Sequence, residues 1–173
     1  MQPVLKPIIS RDQIQARLRE LAAQINRDYA GQPLIIVGVL KGVFIFLADL
    51  IRLLEMPVRV DFVRLHSYGA SDTSSGQVKI TKDLELDITD RHVLIVEDII
   101  DSGLTLKYLL ERLQERRPKS LKVCCLTDKQ ERRTCSVPLD YVGFVVPRGF
   151  LVGYGLDYAE DYRQFPDICE LEL

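Results

Sequence analysis

The sequence has few of the residues that bind structural zinc or form a disulfide framework. It contains two histidines, His66 and His92, and four cysteines in 173 residues. No cysteines are spaced as Cys-x-x-Cys, and no histidine lies at zinc-ligand spacing from them. Cys124 and Cys125 are adjacent within an apolar run, which is typical of small core residues. These patterns favour a cytoplasmic protein whose thiols are reduced.

Long apolar runs and an excess of one charge are also missing. No run approaches the roughly 18 apolar residues of a membrane-spanning helix, and no secretory signal is visible near Met1. The 23 basic residues nearly balance the 25 acidic ones, so the charge gives no reason to expect a nucleic acid partner. Apolar residues make up 47% of the chain, enough for a sizeable core. We therefore expect one globular domain over residues 1–173, with no membrane partner.

Hydrophobic periodicity predicts alternating helices and strands. Ser10 and Gln13 form a capping-box pattern that begins the first helix. Continuous β-branched runs such as Leu34–Leu40 indicate strands buried on both faces, as in a parallel sheet. Two further helices are predicted at Val43–Leu54 and Leu104–Arg116. The predicted strands are Leu34–Leu40, Val58–Leu65, Gln77–Lys82, His92–Val96, Leu121–Leu126, Tyr141–Val146 and Leu151–Gly155. This order predicts an α/β fold in which helices flank a mostly parallel, twisted sheet.

Polar residues concentrate where the His92–Val96 strand ends. They form the run Glu97-Asp98-Ile99-Ile100-Asp101-Ser102-Gly103-Leu104-Thr105. Ligands of open α/β sheets bind beyond the carboxyl ends of strands, and a helix start offers N–H groups and a positive dipole end. Gly103 allows the backbone to approach an anion, while Ser102 and Thr105 add hydroxyl donors. The loop Asp101–Thr105 therefore predicts a phosphate site.

The two carboxylates that precede this loop suit a different part of a ligand. Glu97 and Asp98 would repel a phosphate, but carboxylate oxygens bind ribose hydroxyls and divalent cations. The pattern therefore predicts a phosphorylated sugar that carries a metal. The alternative is an ordinary acidic strand end followed by a capped helix. Against it, this residue pattern should occur by chance in only about one of 10⁴ to 10⁵ chains of this length.

The same segment resembles the phosphoribosyl-diphosphate motif of the type I phosphoribosyltransferases. Leu40-Lys41-Gly42 is similar to the diphosphate loop of the hypoxanthine–guanine members, and Ser67-Tyr68 to the start of their mobile active-site loop, here residues 66–76. Tyr141–Phe144 and Phe150–Tyr158 resemble their purine-binding hood. The resemblance runs from about Leu34 to Phe165. It implies the type I phosphoribosyltransferase fold, with a small hood from residues 141–173 and the N-terminal segment.

The resemblance implies purine salvage, in which 5-phosphoribosyl is transferred from phosphoribosyl diphosphate to hypoxanthine or guanine. The products would be inosine or guanosine monophosphate and diphosphate, the cofactor would be Mg²⁺, and the assembly would be a homodimer or homotetramer. Asp101 would be the general base at purine N7. Phosphoribosyl diphosphate would contact Lys41, Gly42, Glu97, Asp98, Asp101, Ser102, Gly103, Leu104, Thr105 and Arg163. The purine would contact Lys129, Phe150 and Leu151. Mg²⁺ would be bound by Glu97, Asp98 and Asp157. The Leu40–Lys41 peptide would be cis.

Several features leave alternatives open. Ser102 stands where the family has threonine, and Arg148-Gly149 where it commonly has an acidic or amide residue. By residue pattern alone, Lys129 would be an exposed lysine in a loop over Thr127–Arg133, and Phe150 a core residue. A xanthine–guanine transferase is a near alternative. An RNA-binding pyrimidine-operon regulator of similar fold would need a broad basic face. The basic clusters are better explained as solvated surface, because acidic residues interleave; they are Arg116, Arg117, Lys119 and Lys122, and Arg132 and Arg133.

Overall fold

Nine strands and three helices occur in residues 4–67 and 78–172, the part of the chain that the computed structural model describes. The strands are β1 (Val4–Ile9), β2 (Leu34–Leu40), β3 (Val58–Ser67), β4 (Val78–Lys82), β5 (His92–Ile100), β6 (Ser120–Lys129), β7 (Tyr141–Val146), β8 (Leu151–Val152) and β9 (Ile168–Glu172). The helices are α1 (Arg11–Asp28), α2 (Phe44–Ile51) and α3 (Leu104–Gln114).

The central sheet has the strand order β4-β3-β2-β5-β6-β7. All neighbouring pairs are parallel except β3 and β4, so the prediction of a mostly parallel sheet is confirmed. From β2 the chain crosses over through α2 to β3 on one side, whereas from β5 it crosses through α3 to β6 on the other. The carboxyl ends of β2 and β5 therefore border a topological switch point, where open sheets of this kind bind ligands.

Each face of the sheet is covered by a separate apolar layer. Alternate residues of β2 belong to opposite layers, Ile36 with α1 and α2 and Val37 with α3. This explains the continuous apolar run of β2, because both of its faces are buried. The helix α2 is apolar but has only eight residues, and α1 has 18 but is amphipathic. No helix in the described ranges could span a membrane.

The chain ends form a small antiparallel sheet of order β1-β9-β8. Val4 pairs with Glu172, and the register continues to Ile9 beside Ile168. The predicted hood from the chain ends is confirmed as part of the fold. The strands β1 and β9 themselves were not predicted, because short terminal segments gain strand geometry only from the partner they pair with. The predicted capping box of Ser10 and Gln13 is present at the start of α1.

Several predicted boundaries of strands and helices were wrong. The strand predicted to end at Val96 continues to Ile100, because Ile99 and Ile100 pair with Thr127 and Asp128 of β6. The strand β6 likewise extends to Lys129 rather than ending at Leu126. The helix α2 stops at Ile51 and α3 at Gln114, each a few residues early, and turns follow. Pairing with a neighbouring strand extends a strand beyond its apolar run.

Candidate active site

A cleft of about 530 Å³ opens at the switch point between the ends of β2 and β5. Most of the predicted site residues line it together. They are Lys41, Gly42, Glu97, Asp98, Asp101, Ser102, Gly103, Thr105, Asp157 and Arg163. The cleft thus combines cations, a loop at a helix start and buried carboxylates within one volume.

Other predicted residues lie beside the cleft or outside the described chain. Leu104, Lys129, Phe150 and Leu151 are not among its lining residues. Leu104 begins α3 with its side chain exposed. Ser67 ends β3, two residues beyond the strand predicted to stop at Leu65. The prediction of a mobile loop falls on Tyr68 and the residues up to 76, which lie outside the described ranges.

Within the predicted phosphate loop Asp101–Thr105, Gly103 is the N-cap of α3, so the helix begins at Leu104. Gly103 has φ +85°, and a Cβ there would lie 3.0 Å from the Cys135 carbonyl oxygen, so the position requires glycine. Gly103 has no side chain to cap α3, although the Leu104 N–H donates to Ser102 Oγ at 3.3 Å. The first turn of α3 thus presents backbone N–H groups and the positive end of its dipole to the cleft, which favours a bound phosphate.

Glu97 and Asp98 lie near the carboxyl end of β5, which continues two residues beyond them to Ile100. Burial raises the pKa of Glu97 well above its usual range, and the adjacent Asp98 carboxyl adds to the shift. Burial also raises the pKa of Asp98 to about 6, although its Oδ1 accepts a 2.9 Å bond from the Ile99 N–H. A Cβ on Gly42 would lie 1.7 Å from Asp98 Oδ2. Glycine at position 42 therefore leaves the space that this carboxylate occupies.

These raised pKa values predict a stability cost that the variant Asp98→Asn should remove. The ionised form is disfavoured only in the folded protein, so the cost is absent below pH 4 and grows as pH rises from about 4 to about 6. At pH 7.5 we expect Asp98→Asn to raise the free energy of unfolding by roughly 1–3 kcal/mol. Urea unfolding of both proteins from pH 4 to 8 measures the difference. A variant less stable than the wild type at pH 7.5 would contradict the prediction.

Lys129 lies beside the cleft and forms an ion pair with Asp101, which lines it. Lys129 Nζ lies 3.7 Å from Asp101 Oδ2 and 3.6 Å from Glu131 Oε2. Lys129 is only 6% exposed, so the interpretation of it as an exposed loop lysine is wrong. Within the described residues, Asp101 Oδ1 is buried and has no hydrogen-bond partner. An unsatisfied buried acceptor is costly in a folded protein and indicates a place where a ligand donates.

Arg133 organises this part of the site, although the sequence analysis assigned it to solvated surface. Its Nε donates to the Asp101 carbonyl at 2.8 Å, and its Nη2 to the Ile100 carbonyl at 3.2 Å and to the Asp128 carboxylate. The side chain is only 21% exposed, whereas the neighbouring Arg132 is exposed. One guanidinium thus joins the ends of β5 and β6. No sequence signal separates the two arginines.

The loop before β8 connects to Lys129 through Glu131. Gly149 N–H lies 3.4 Å from Glu131 Oε2, which links the loop before β8 to Lys129. Phe150 is 43% exposed, and its ring packs edge-on against Tyr158 at 5.4 Å between centroids. The interpretation of Phe150 as a core residue is therefore wrong. Its exposed face leaves room for a planar ligand.

Cations and a further acidic residue line the outer part of the cleft. Lys41 follows a cis Leu40–Lys41 peptide, as the resemblance implies. Arg163 donates to the Gly155 carbonyl at 2.8 Å and pairs with Asp157 at 2.9 Å. Of the charged residues that line the cleft, sequence reasoning missed Arg64 and Glu160, whereas His66 begins the predicted active-site loop 66–76. Arg64 lies near the end of the strand beside β2, so its position at a carboxyl strand end was the available signal.

Among the described residues, no cluster of three or more acidic, histidine or cysteine side chains could hold a metal. This arrangement still fits Mg²⁺, which binds proteins through one or two carboxylates and completes its shell with water and substrate phosphates. Asp98 and Asp157 both line the cleft and supply suitable oxygen donors. Substrate phosphates and water would complete such a site.

Comparison with known proteins identifies the family to which this chain belongs. Residues 10–159 match the phosphoribosyl transferase domain family. The hypoxanthine-guanine phosphoribosyltransferase of Bacillus subtilis is 48% identical over 96% of this chain and 93% of its own length. The chain therefore belongs to the hypoxanthine-guanine phosphoribosyltransferase family.

Two further comparisons agree with this assignment. The crystal structure of a hypoxanthine-guanine phosphoribosyltransferase from Bacillus anthracis superimposes with a TM-score of 0.91 at 44% identity, covering 99% of this chain and 100% of the other. The bifunctional protein TilS/HprT of Listeria innocua is 47% identical over 95% of the chain. In that relative the chain spans only 26% of the total length.

Proposed function

We propose that this protein transfers the 5-phosphoribosyl group of phosphoribosyl diphosphate to hypoxanthine and guanine, in purine salvage. The observation that carries the proposal is the convergence at one switch point of the Ser102–Thr105 loop, the Glu97/Asp98 pair and Asp101. The 5-phosphate binds at the start of α3, and the ribose hydroxyls face the carboxylates. Lys41 and Arg163 bind the diphosphate at the outer part of the cleft.

The reaction forms the bond from purine N9 to ribose C1 and breaks the bond from C1 to diphosphate oxygen. Diphosphate leaves with the bonding electrons, and the purine loses the proton on N7. Asp101 Oδ1 is the acceptor that this proton needs, since it is buried beside Lys129 and has no partner among the described residues. Lys129 donates to the 6-oxo group, and Phe150 stacks on the purine ring.

Mg²⁺ is part of the proposal, with Asp98 and Asp157 as its protein ligands and Glu97 beside them. When bound, the metal neutralises charge on the diphosphate. We expect kcat/KM to fall by about tenfold or more when Mg²⁺ is chelated. The measurement is a rate with and without EDTA, followed by restoration with excess Mg²⁺. Full activity in chelated, metal-free buffer would contradict this part of the proposal.

The decisive experiment is a product assay with phosphoribosyl diphosphate, Mg²⁺ and five bases in parallel: hypoxanthine, guanine, xanthine, adenine and uracil. We expect nucleotide from hypoxanthine and guanine. Nucleotide from uracil alone would overturn the proposal. The related sequences named above favour purine transfer over RNA-binding regulation.

A xanthine–guanine preference is the second candidate, and it depends on the loop before β8. A main-chain carbonyl near Leu151 accepts from the 2-amino group of guanine but faces the 2-oxo group of xanthine, an acceptor. Arg148 is exposed beside this loop and is the residue that could favour xanthine. Faster turnover of xanthine than of hypoxanthine would support this candidate.

Location and assembly belong to the proposal as well. We propose a cytoplasmic protein, because Cys124, Cys125 and Cys169 are buried free thiols. A homodimer or homotetramer is predicted from the resemblance, and sedimentation velocity of the purified protein tests it.

A further inference from the structure

Glu160 makes ion pairs with both cations that the proposed function assigns to diphosphate. Its Oε2 lies 2.8 Å from Lys41 Nζ and 3.3 Å from Arg163 Nη2. Lys41 follows β2, whereas Arg163 belongs to the hood, so this one carboxylate oxygen joins two separate elements across the cleft. Glu160 also lines the cleft itself. A carboxylate oxygen here has the same partners that a diphosphate oxygen would need.

The backbone holds Glu160 in this position. Its N–H donates to Asp157 Oδ2 at 2.9 Å, and its φ is +71°, so a turn aims the side chain back toward Lys41. The side chain is nevertheless 65% exposed. Its carboxylate can therefore move into solvent without disturbing a packed core, since an exposed ion pair contributes little stability.

From these contacts we propose that, in the free protein, the Glu160 carboxylate occupies Lys41 and Arg163, the two cations that bind diphosphate. Binding of diphosphate must then displace it. The inference rests on the proposed function and adds a residue that controls the affinity for diphosphate. Diphosphate and Glu160 compete for Lys41 and Arg163, so Glu160 weakens binding of diphosphate and of phosphoribosyl diphosphate. When diphosphate leaves after the reaction, Glu160 returns to the two cations and favours its release.

The competition predicts the effect of Glu160→Gln. The amide keeps the shape of the side chain but loses the charge that holds both cations. We expect the Kd for inorganic diphosphate, measured by calorimetry in Mg²⁺ buffer, to fall about 3- to 10-fold. The KM for phosphoribosyl diphosphate should fall with it, and inhibition by added diphosphate should strengthen by a similar factor.

The matched control is Asp161→Asn in the same turn. It removes the same charge, but Asp161 bonds through its backbone to Tyr158 and forms no ion pair with Lys41 or Arg163 in the described chain. General electrostatics would lower Kd equally in both variants, whereas direct competition requires the larger change in Glu160→Gln. Equal changes in the two variants, or an unchanged Kd in Glu160→Gln, would overturn the inference and leave the proposed function intact. Absence of diphosphate binding in the wild type would overturn both.

Discussion

Replacement of Asp101 by asparagine is expected to lower kcat with hypoxanthine by about 10² to 10⁴-fold, the contribution typical of a general base. The amide has nearly the same shape as the carboxylate but cannot accept the purine proton. The backbone of Asp101 stays in place, because Arg133 bonds to its carbonyl rather than to its side chain. Binding of phosphoribosyl diphosphate should therefore change little, and the loss should appear in kcat.

Steady-state kinetics measures the loss in kcat, and calorimetry measures whether binding of phosphoribosyl diphosphate is unchanged. Asp87→Asn is the matched control, because Asp87 is exposed and, among the described residues, accepts hydrogen bonds from Thr89 alone, so its kcat should equal that of the wild type. If Asp101→Asn keeps kcat within threefold of the wild type, Asp101 is not the base. If instead it abolishes binding of phosphoribosyl diphosphate, its role is in holding the loop.

Lys129 is expected to decide which purines are used. Its buried ammonium has only donors, so it pairs with a 6-oxo acceptor and leaves the 6-amino group of adenine without a partner. Sites built on such a bond reject the wrong substrate by on the order of 10⁴-fold. We therefore expect kcat/KM for adenine to be lower than for hypoxanthine by about that factor in the wild type.

The variant Lys129→Gln should lower kcat/KM for hypoxanthine by roughly 10²-fold, since a bond from a charged donor is lost. It should also narrow the gap between hypoxanthine and adenine, because an amide offers both a donor and an acceptor. Lys119→Gln, at an exposed lysine outside the cleft, is the control. Comparable use of adenine by the wild type, or no loss of hypoxanthine activity in Lys129→Gln, would show that Lys129 does not recognise the substituent at purine position 6.

Local sequence was enough to predict the parts of the site that depend on a single segment. The continuous apolar run of β2 requires burial on both faces, which predicts a parallel sheet. The loop Asp101–Thr105 follows such a strand and begins a helix, so the prediction of a phosphate site there follows from backbone rules. No local pattern indicates a role for Lys41, Lys129 or Phe150. The roles predicted for them came from the resemblance to a known family.

Only the tertiary structure decided which side chains from distant segments meet. Arg132 and Arg133 are equivalent in sequence, yet only Arg133 reaches the carbonyls at the end of β5. Lys129 belongs to the end of β6, where it pairs with Val146 of β7, and Glu160 meets Lys41 across 119 positions of the chain. The hydrophobic periodicity of a segment shows which of its own faces are buried. It does not show which other segment lies beside its end, because that depends on the order of the strands in the sheet. The sequence by itself therefore determined the elements of the central sheet and the position of the loop predicted to bind phosphate, whereas the packing of those elements determined the charge pattern around that loop.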